Sequence, residues 1–324
     1  MNLVLNTFGS SLLVENSMFL VIHNEGKQVI DPSKVRSISI SKGAKISSDA
    51  ALLAIENEID VMFIDRSGKP TGRLWSVKYG SISTIRRKQL DFAGSVQAVE
   101  WVKEIVIWKI DNQIALLISM NADEEVKKNT IASAINKTED YKNKIRQIEA
   151  RYVHDMAAGL RGWEGASARA YFEVLSMLLP EKYRFNSRSQ HPATDIFNCL
   201  LNYGYGMLYG KVEGALIKAG IDPYAGIYHR DEYNRPVLAY DVIEVFRIWI
   251  DYVVFSLCMQ EVIDEDCYSI KEGSYWLENL GRRILIQSVN DYLDEIIPMN
   301  GLERSRAVHI DLYAQNLAQK FLKS

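Results

Sequence analysis

The spacing of apolar residues changes once along this 324-residue chain, near residue 80, and that change limits the folds open to it. Before it, short apolar runs alternate with turn-forming residues, and Ile38 and Ile40 alternate with serines as in a half-buried strand. After it, apolar residues recur at the period of an amphipathic helix. The pattern predicts an α+β protein with a β-rich domain over residues 1–80 and a larger, all-α-helical domain over residues 81–324.

The β-rich region is predicted to contain several short strands. They are expected at residues 3–5, 12–14, 18–22, 28–30, 35–40 and 59–64 and near 74–75. Ser47-Ser48-Asp49 precedes an Ala/Leu-rich run to Asn57 and is typical of a helix cap. We therefore expect two sheets packed on each other, a β-sandwich-like domain, with one inserted helix.

The second region is predicted to be helical throughout. Val99–Met120 and Thr130–His154 both have the pattern of long helices. Prolines punctuate the later helices, and Gly220-Ile221-Asp222-Pro223 is a helix stop.

Composition narrows the class of protein. The chain has 48% hydrophobic and 24% charged residues, which is the composition of an ordinary globular protein. The three cysteines are few and are not in metal-ligand spacing, which favours reduced thiols in a cytoplasmic protein. No signal peptide or membrane span is expected, since charged residues interrupt every apolar stretch.

Three segments carry the polar residues that catalysis would need. The first, Leu160–Tyr171, holds a single acid, Glu164, among very small residues. On a helix, Arg161, Glu164 and Tyr171 lie on one face, and the small neighbours let another backbone, of protein or nucleic acid, approach the carboxylate. A tightly packed helix with a solvent-facing glutamate is the alternative.

The other two segments follow each other closely. His229 ends a short apolar run and opens a polar loop, where a lone histidine is usually structural. In the next helix Asp241 and Glu244 are one turn apart and point the same way. Two carboxylates on an otherwise apolar helix are costly to bury unless they are paired or bound to a metal. Arg247, three residues after Glu244, leaves a plain ion pair open.

Together these acids and the histidine form a hard, oxygen-rich set suited to Mg²⁺ or Mn²⁺. Such ions polarise phosphoryl oxygens and activate a hydroxyl or a water molecule as nucleophile. Spacing in the sequence does not by itself bring Glu164 to His229. No P-loop, Rossmann glycine pattern, zinc-ligand spacing or Gly-x-Ser-x-Gly elbow is present, so those sites are not indicated.

Five ordered blocks of sequence carry a resemblance to a known family. They are Arg161–Tyr171; Pro192–Asp195 with Asn198; Leu201–Tyr205; Ala219–Pro223 with Gly226 and His229; and Leu238–Arg247. In order and spacing they resemble the CRISPR-associated spacer-acquisition integrase/endonuclease family, the first-numbered Cas proteins. Val61–Arg73 also resembles the end of that family's β domain. Trp163, Asn234 and Ile248 depart from the pattern, but none is an expected ligand.

The resemblance implies a site, partners and a reaction. Glu164, His229 and Glu244 would hold Mg²⁺ or Mn²⁺, with Asp241 as a close acidic neighbour in the catalytic set. The protein would form a homodimer, and two dimers would flank a dimer of a small ferredoxin-like CRISPR-associated partner. The reaction would insert short double-stranded DNA fragments, the spacers, into the CRISPR array. A fragment's 3′-hydroxyl would attack a phosphodiester at the repeat in a metal-dependent transesterification.

Two other functions remain open at this point. A stand-alone, structure-selective nuclease acting on branched DNA would use the same residues with water as the nucleophile. A DNA-binding scaffold without chemistry would have no need of Glu164, His229 and Glu244 together. Residues 1–80 are expected to carry the homodimer contact, because a short β-rich domain has exposed sheet edges that pairing would cover.

Candidates for holding DNA fall into two groups. Basic ones are Arg86, Arg87 and Lys88 at the start of the helical domain, and Arg184 and Arg188 before the Pro192 block; Tyr171, Asn202 and Tyr203 lie on the blocks around the expected metal. Solvated surface charge is the alternative for the first group and helix packing for the second. The net charge of −3 does not favour DNA binding, but local patches matter more than the sum.

Overall fold

The computed structural model describes residues 1–24, 26–35, 37–65, 70–74, 82–120, 124–190, 192–229 and 235–324. Within these ranges strands dominate the first part of the chain and helices the rest, so the predicted mixed α+β class is confirmed. The predicted domain boundary near residue 80 lies outside the described residues.

The first part of the chain forms two four-stranded sheets. Its elements are β1 (Asn2–Leu5), β2 (Ser11–Glu15), β3 (Met18–His23), β4 (Gly26–Ile30), β5 (Ser37–Ser41), β6 (Lys45–Ile46), helix α1 (Ser48–Glu56), β7 (Asp60–Ile64) and β8 (Pro70–Leu74). One sheet has the order β1-β5-β7-β8, with β8 antiparallel to β7 and the other pairs parallel. The other has the order β4-β3-β2-β6.

One apolar cluster joins the two sheets. Ile38 and Val61 enter it from the first sheet and Leu12 and Phe19 from the second, all almost completely buried. Helix α1 begins as predicted, because the Ser47 hydroxyl accepts the main-chain N–H three residues on, at 3.1 Å. Strands therefore form near each of the predicted places and α1 begins at its predicted cap, whereas the two-residue strand β6 was not predicted.

Nine helices within the described ranges make up most of the remainder. They are α2 (Ile82–Ala93), α3 (Val96–Ser119), α4 (Glu125–Arg146), α5 (Val153–Leu178), α6 (Ile196–Lys218), α7 (Val237–Ile243), α8 (Arg247–Met259), α9 (Asn279–Asp294) and α10 (Arg306–Lys323). They share a single large apolar cluster. No helix in the described ranges combines the length and apolarity that a bilayer span needs.

Helix boundaries show where the periodic pattern succeeded and failed. The predicted stop at Gly220 is confirmed, with a φ of 80° just after α6. The predicted helix Thr130–His154 is wrong, because two helices share that stretch. Asp155 accepts the main-chain N–H of Tyr152 at 3.0 Å and starts α5 afresh. The sequence prediction continued one helix through this cap.

The second region is not purely helical, which corrects the prediction of an all-α domain. It contains two antiparallel hairpins, β9 (Tyr268–Lys271) with β10 (Ser274–Leu277) and β11 (Ile296–Met299) with β12 (Leu302–Ser305). Both turns need two consecutive residues at positive φ, and Glu272-Gly273 and Asn300-Gly301 supply them. An Asn-Gly pair between short apolar runs is a strong hairpin signal that the helical pattern overrode.

Candidate metal centre

Glu164 lies in the middle of α5, and its side chain is only 16% exposed. The helix surface next to it is open. A Cβ atom built at Gly159, Gly162 or Gly165 would meet no other atom within 4 Å, and these glycines are exposed. α5 is therefore open at these glycines, and approach of another backbone to the Glu164 carboxylate itself stays a prediction.

Lys109 of α3 lies between two carboxylates. Its Nζ donates a hydrogen bond to Oε1 of Glu164 at 2.6 Å and lies 2.6 Å from Oε2 of Glu244. The lysine is buried, with 8% of its surface exposed. One ammonium group thus joins the two glutamates that come from separate helices.

Glu244 lies at a break between two helices. The predicted helix Leu238–Arg247 ends at Ile243 and resumes at Arg247, because the main-chain N–H groups of Val245 and Phe246 bond three residues back instead of four. The Arg247 guanidinium lies 2.7 Å from Oε1 of Glu244. The ion pair between Arg247 and Glu244, which the sequence left open, therefore exists, and it uses only one of the two carboxylate oxygens.

Asp241 organises the loop that carries His229. Its buried carboxylate accepts the main-chain N–H groups of Ile227, Tyr228 and His229, at 3.0, 2.9 and 3.0 Å. It also lies 2.6 Å from Nδ1 of the His229 ring. With the proton on Nδ1 shared with Asp241, the ring presents Nε2 as the nitrogen available to a metal. Asp241 is therefore placed to orient His229, which is 43% exposed.

Tyr228 contacts both Glu164 and His229. Its hydroxyl donates to Oε2 of Glu164 at 3.1 Å, and its ring lies against that of His229, with 5.2 Å between centroids. Each oxygen of Glu164 therefore has its own partner, Lys109 on one side and Tyr228 on the other.

The charges of the site stabilise one another. Burial alone would raise the pKa of Glu164, but the ammonium of Lys109 and the Tyr228 hydroxyl bring it below its usual value. Burial also opposes the charged form of Lys109, yet Glu244 and Glu164 raise its pKa. For His229, burial lowers the pKa, while Asp241 and then the two glutamates outweigh it and raise the pKa. The glutamates are thus close enough to favour the imidazolium.

The donor set fits a hard divalent cation. Within the described ranges, no three His, Cys, Asp or Glu side chains already lie close enough to hold an ion, and Lys109 lies between the glutamates. That ammonium is a cation held by both carboxylates, as a metal ion would be. Oε2 of Glu244 is buried, and among the described residues its polar neighbour is that ammonium, at 2.6 Å. Glu164, His229 and Glu244 as the metal ligands stay a prediction, and the residues present suit it.

A cavity of about 180 Å³ adjoins Glu244 and Lys109. Its polar lining consists of Lys109, Gln113, Arg188, Gln190, Tyr205, Glu244, Arg247 and Asp251. Asp251 is buried and accepts from the hydroxyls of Tyr205, at 2.5 Å, and Tyr171, at 3.0 Å. Tyr171 is completely buried, so in this structure it has the helix-packing role and cannot touch DNA.

The other residues proposed on the blocks around the metal are used within the protein. Asn202 donates to the main-chain oxygens of Ser189 and Gln190, at 3.0 and 2.8 Å, and accepts from Arg188 at 2.9 Å. Arg188 also bonds to Asn198. Tyr203 is half-buried and packs against the helical core. These contacts brace the chain before α6, and DNA contact by these residues stays untested.

The basic candidates differ in exposure. Arg86 and Arg87 on α2 are exposed, as is Arg184, whose Nε donates to the main-chain oxygen of Leu179 at 3.1 Å. Lys88 is half-buried, and its Nζ donates to the main-chain oxygen of Ser324 at 3.0 Å. Of these three consecutive residues on α2, Arg86 and Arg87 are therefore more exposed than Lys88.

Sequence reasoning missed Lys109 and Tyr228. Lys109 is one charge inside the apolar run Ile105–Ile110, and a charge there is costly to bury without an acidic partner. That signal was available, although it does not say which acid is the partner. Tyr228 directly precedes His229, so its place beside the site follows once the histidine is assigned.

Comparison with known proteins gives matches over most of the chain. The family model described as "CRISPR associated protein Cas1" matches residues 3–291. A relative from Archaeoglobus fulgidus, CRISPR-associated endonuclease Cas1 1, is 32% identical over 331 residues, which cover 98% of this chain and 95% of the relative.

Two solved structures share the fold. A chain of a partial Cas6-RT-Cas1–Cas2 complex superposes with a TM-score of 0.78 at 22% identity, covering all of this chain and 96% of that one. A casposase bound to an integration product gives a TM-score of 0.71 at 21% identity, covering 99% and 95% of the two chains. Both likenesses extend over the sheets and the helices alike.

Proposed function

This chain belongs to the Cas1 family of CRISPR-associated proteins, and we propose that it is the integrase that inserts short DNA fragments into a CRISPR array. The reaction would be a metal-dependent transesterification at the repeat. The 3′-hydroxyl of the fragment attacks a phosphodiester of the repeat and releases a strand end, so one phosphodiester is exchanged for another.

A single observation carries this proposal: the carboxylates of Glu164 and Glu244 share one cation, Lys109, while Asp241 orients His229 beside them. Two carboxylates and an imidazole are a suitable ligand set for Mg²⁺ or Mn²⁺. The exposed glycines of α5 would let a DNA backbone approach the helix that carries Glu164.

Each residue has a definable task in this reaction. Glu164 and Glu244 would supply oxygen ligands and His229 its Nε2, and the bound ion would stabilise the charge that develops on the phosphate. Asp241 keeps the imidazole ring and its loop in place, and Tyr228 fixes the second oxygen of Glu164. Rigid placement matters because holding a 3′-hydroxyl in line with a phosphate supplies much of the rate.

We further propose that the protein works as a homodimer with a small ferredoxin-like partner, Cas2. One structural neighbour is a complex that contains Cas1 and Cas2. The edge strands β1 and β4 carry exposed apolar side chains, Val4 at 51% and Val29 at 56%, and pairing of such edges would cover them. A chain that starts at residue 81 should then sediment as a monomer, and a stable dimer of it would contradict this assignment.

A stand-alone nuclease for branched DNA is the second candidate, because the Archaeoglobus fulgidus relative is called an endonuclease. It would use the same metal and the same side chains. Water would replace the 3′-hydroxyl as the attacking group, so cleavage would not depend on the chemistry of a fragment end.

The deciding experiment uses the fragment's own 3′ end. The protein and Cas2 are mixed with Mn²⁺, a supercoiled plasmid carrying a repeat, and labelled fragments ending in a 3′-hydroxyl or a 3′-hydrogen. We expect joining with the hydroxyl only, and none after the metal is chelated. Nicking of the plasmid at equal rates with either fragment would show that water attacks, and the nuclease would be the better description.

A further inference from the structure

The four carboxylate oxygens of the two glutamates each have a polar neighbour. Oε2 of Glu164 accepts from Tyr228 and Oε1 of Glu244 faces Arg247, while the other two oxygens both face Lys109. Among the described residues, Lys109 is the only cation that contacts both carboxylates. An ion that bridges Glu164 and Glu244 would therefore have to take the place that the ammonium now fills.

From this geometry we propose that Lys109 is a tethered cation which holds the metal position in the metal-free protein and leaves it when the ion binds. The idea rests on the proposed function, because it assumes that Glu164 and Glu244 are metal ligands. Mg²⁺–oxygen bonds of about 2.0 to 2.1 Å would place a bridging ion in the space between the carboxylates that Nζ fills at 2.6 Å from each, so the two cations cannot be there together. The metal ion and the ammonium of Lys109 therefore compete for the position between Glu164 and Glu244.

The displaced ammonium has a second position within reach. Gln113 lies one helical turn beyond Lys109 on the same face of α3, and both residues line the cavity beside Glu244. The Oε1 atom of Gln113 is buried and has no hydrogen-bond partner among the described residues. A buried acceptor without a donor is unfavourable, and the released ammonium of Lys109 would satisfy it.

The ammonium of Lys109 would thus have two positions, one between the glutamates and one beside Gln113, and the balance between them would set the affinity for the metal. Contacts between Lys109 and the glutamates stabilise only the metal-free protein, so they weaken metal binding. Contact with Gln113 stabilises only the metal-loaded protein, so it strengthens metal binding. Removing either side chain should therefore change the affinity for the ion, in opposite directions.

The experiment measures binding of Mn²⁺ to the full-length, DNA-free protein by electron paramagnetic resonance. Lys109→Met should bind Mn²⁺ roughly 10- to 100-fold more tightly than the unaltered protein, and Gln113→Leu several-fold more weakly, within the range usual for coupled equilibria. Lys103→Met is the matched control. Lys103 lies on the same helix and is equally buried, but it contacts Glu100 and the main-chain oxygen of Ile148. Its substitution should leave Mn²⁺ affinity unchanged.

Thermal melting supplies a second readout that does not depend on catalysis. Lys109→Met leaves two neighbouring carboxylates without their shared cation, so it should melt at a lower temperature in chelator and gain more than the unaltered protein from Mn²⁺. If the variant folds too poorly to titrate, the weaker binding expected of Gln113→Leu still tests the idea.

Unchanged or weaker Mn²⁺ binding by Lys109→Met would overturn the inference and leave the proposed function intact. Unchanged or tighter binding by Gln113→Leu would overturn it as well. If none of the proteins bound Mn²⁺, with or without DNA, both the inference and the proposed metal site would fail together.

Discussion

The acids of the candidate metal centre and the basic side chains of α2 differ in how firmly the protein holds them. Asp241 is completely buried and bonded to three main-chain N–H groups, and Glu164 is held at both of its oxygens. Arg86 and Arg87 are exposed. A ligand must be fixed to a fraction of an ångström, whereas a phosphate contact acts over a longer distance and tolerates a mobile side chain.

This contrast predicts unequal costs of mutation. Removing a fixed ligand should nearly abolish the reaction with little effect on DNA binding. Removing an exposed arginine should weaken binding slightly and spare the chemistry. Variants of the two regions can therefore be ranked by expected effect, and a reversed ranking would show that the regions have been assigned the wrong roles.

The largest effect is expected at the proposed metal ligands. Glu164→Ala, His229→Ala and Glu244→Ala should each reduce fragment joining by roughly 10³-fold or more, because a bound ion contributes several kcal/mol to transition-state stabilisation. Glu173→Ala is the control for Glu164, since Glu173 is an exposed acid on the same helix. Joining is measured with the labelled fragment, and folding by thermal melting.

Full activity of His229→Ala in a metal-dependent assay would show that the site is wrongly assigned. Loss of joining in Glu173→Ala would indicate instead that α5 as a whole is sensitive to substitution.

The resemblance of the ordered blocks to a known family, and not their spacing alone, implied which acids lie near the histidine. Glu164, His229, Asp241 and Glu244 stand in ordered blocks, and the structure gathers them around one loop and two helices. The strands of the first region were predictable too, because alternation of apolar and polar residues is a local property.

Features that depend on distant partners could not be predicted in the same way. Lys109 meets Glu164 across 55 residues of sequence, and no local pattern specifies that pairing. The helix break at Glu244 contains neither proline nor glycine, so tertiary packing must set it. The hairpin at Asn300-Gly301 is different, because its signal was local and was outweighed by the surrounding helical periodicity.

An intermediate effect is expected at Asp241, which acts through His229. Asp241→Asn keeps the shape of the side chain but cannot accept from both the main chain and the ring. Mn²⁺ affinity and joining should each fall by about 10- to 100-fold, the usual cost of losing a group that orients a metal ligand.

A double-mutant cycle tests whether Asp241 acts through His229. In a His229→Ala background, Asp241→Asn should have little further effect on Mn²⁺ affinity, because the ring that Asp241 orients is already gone. Additive losses would mean that Asp241 contacts the ion or holds the loop independently of the histidine.

The smallest effect is expected on α2, where neighbouring residues give an internal comparison. Arg86→Gln and Arg87→Gln should each weaken DNA binding whatever the sequence, and each should reduce the slope of log affinity against log salt by about one, since each lost phosphate contact releases about one counterion fewer. Lys88→Gln should change the slope less, because Lys88 is half-buried and donates to the main-chain oxygen of Ser324. Affinities are measured at several salt concentrations with metal chelated, which separates DNA holding from chemistry.

If all three slopes stay unchanged, these side chains are ordinary solvated charge and the DNA path lies elsewhere. If only Lys88→Gln changes the slope, its contact with Ser324 is given up when DNA binds, and exposure in the free protein is a poor guide to that path.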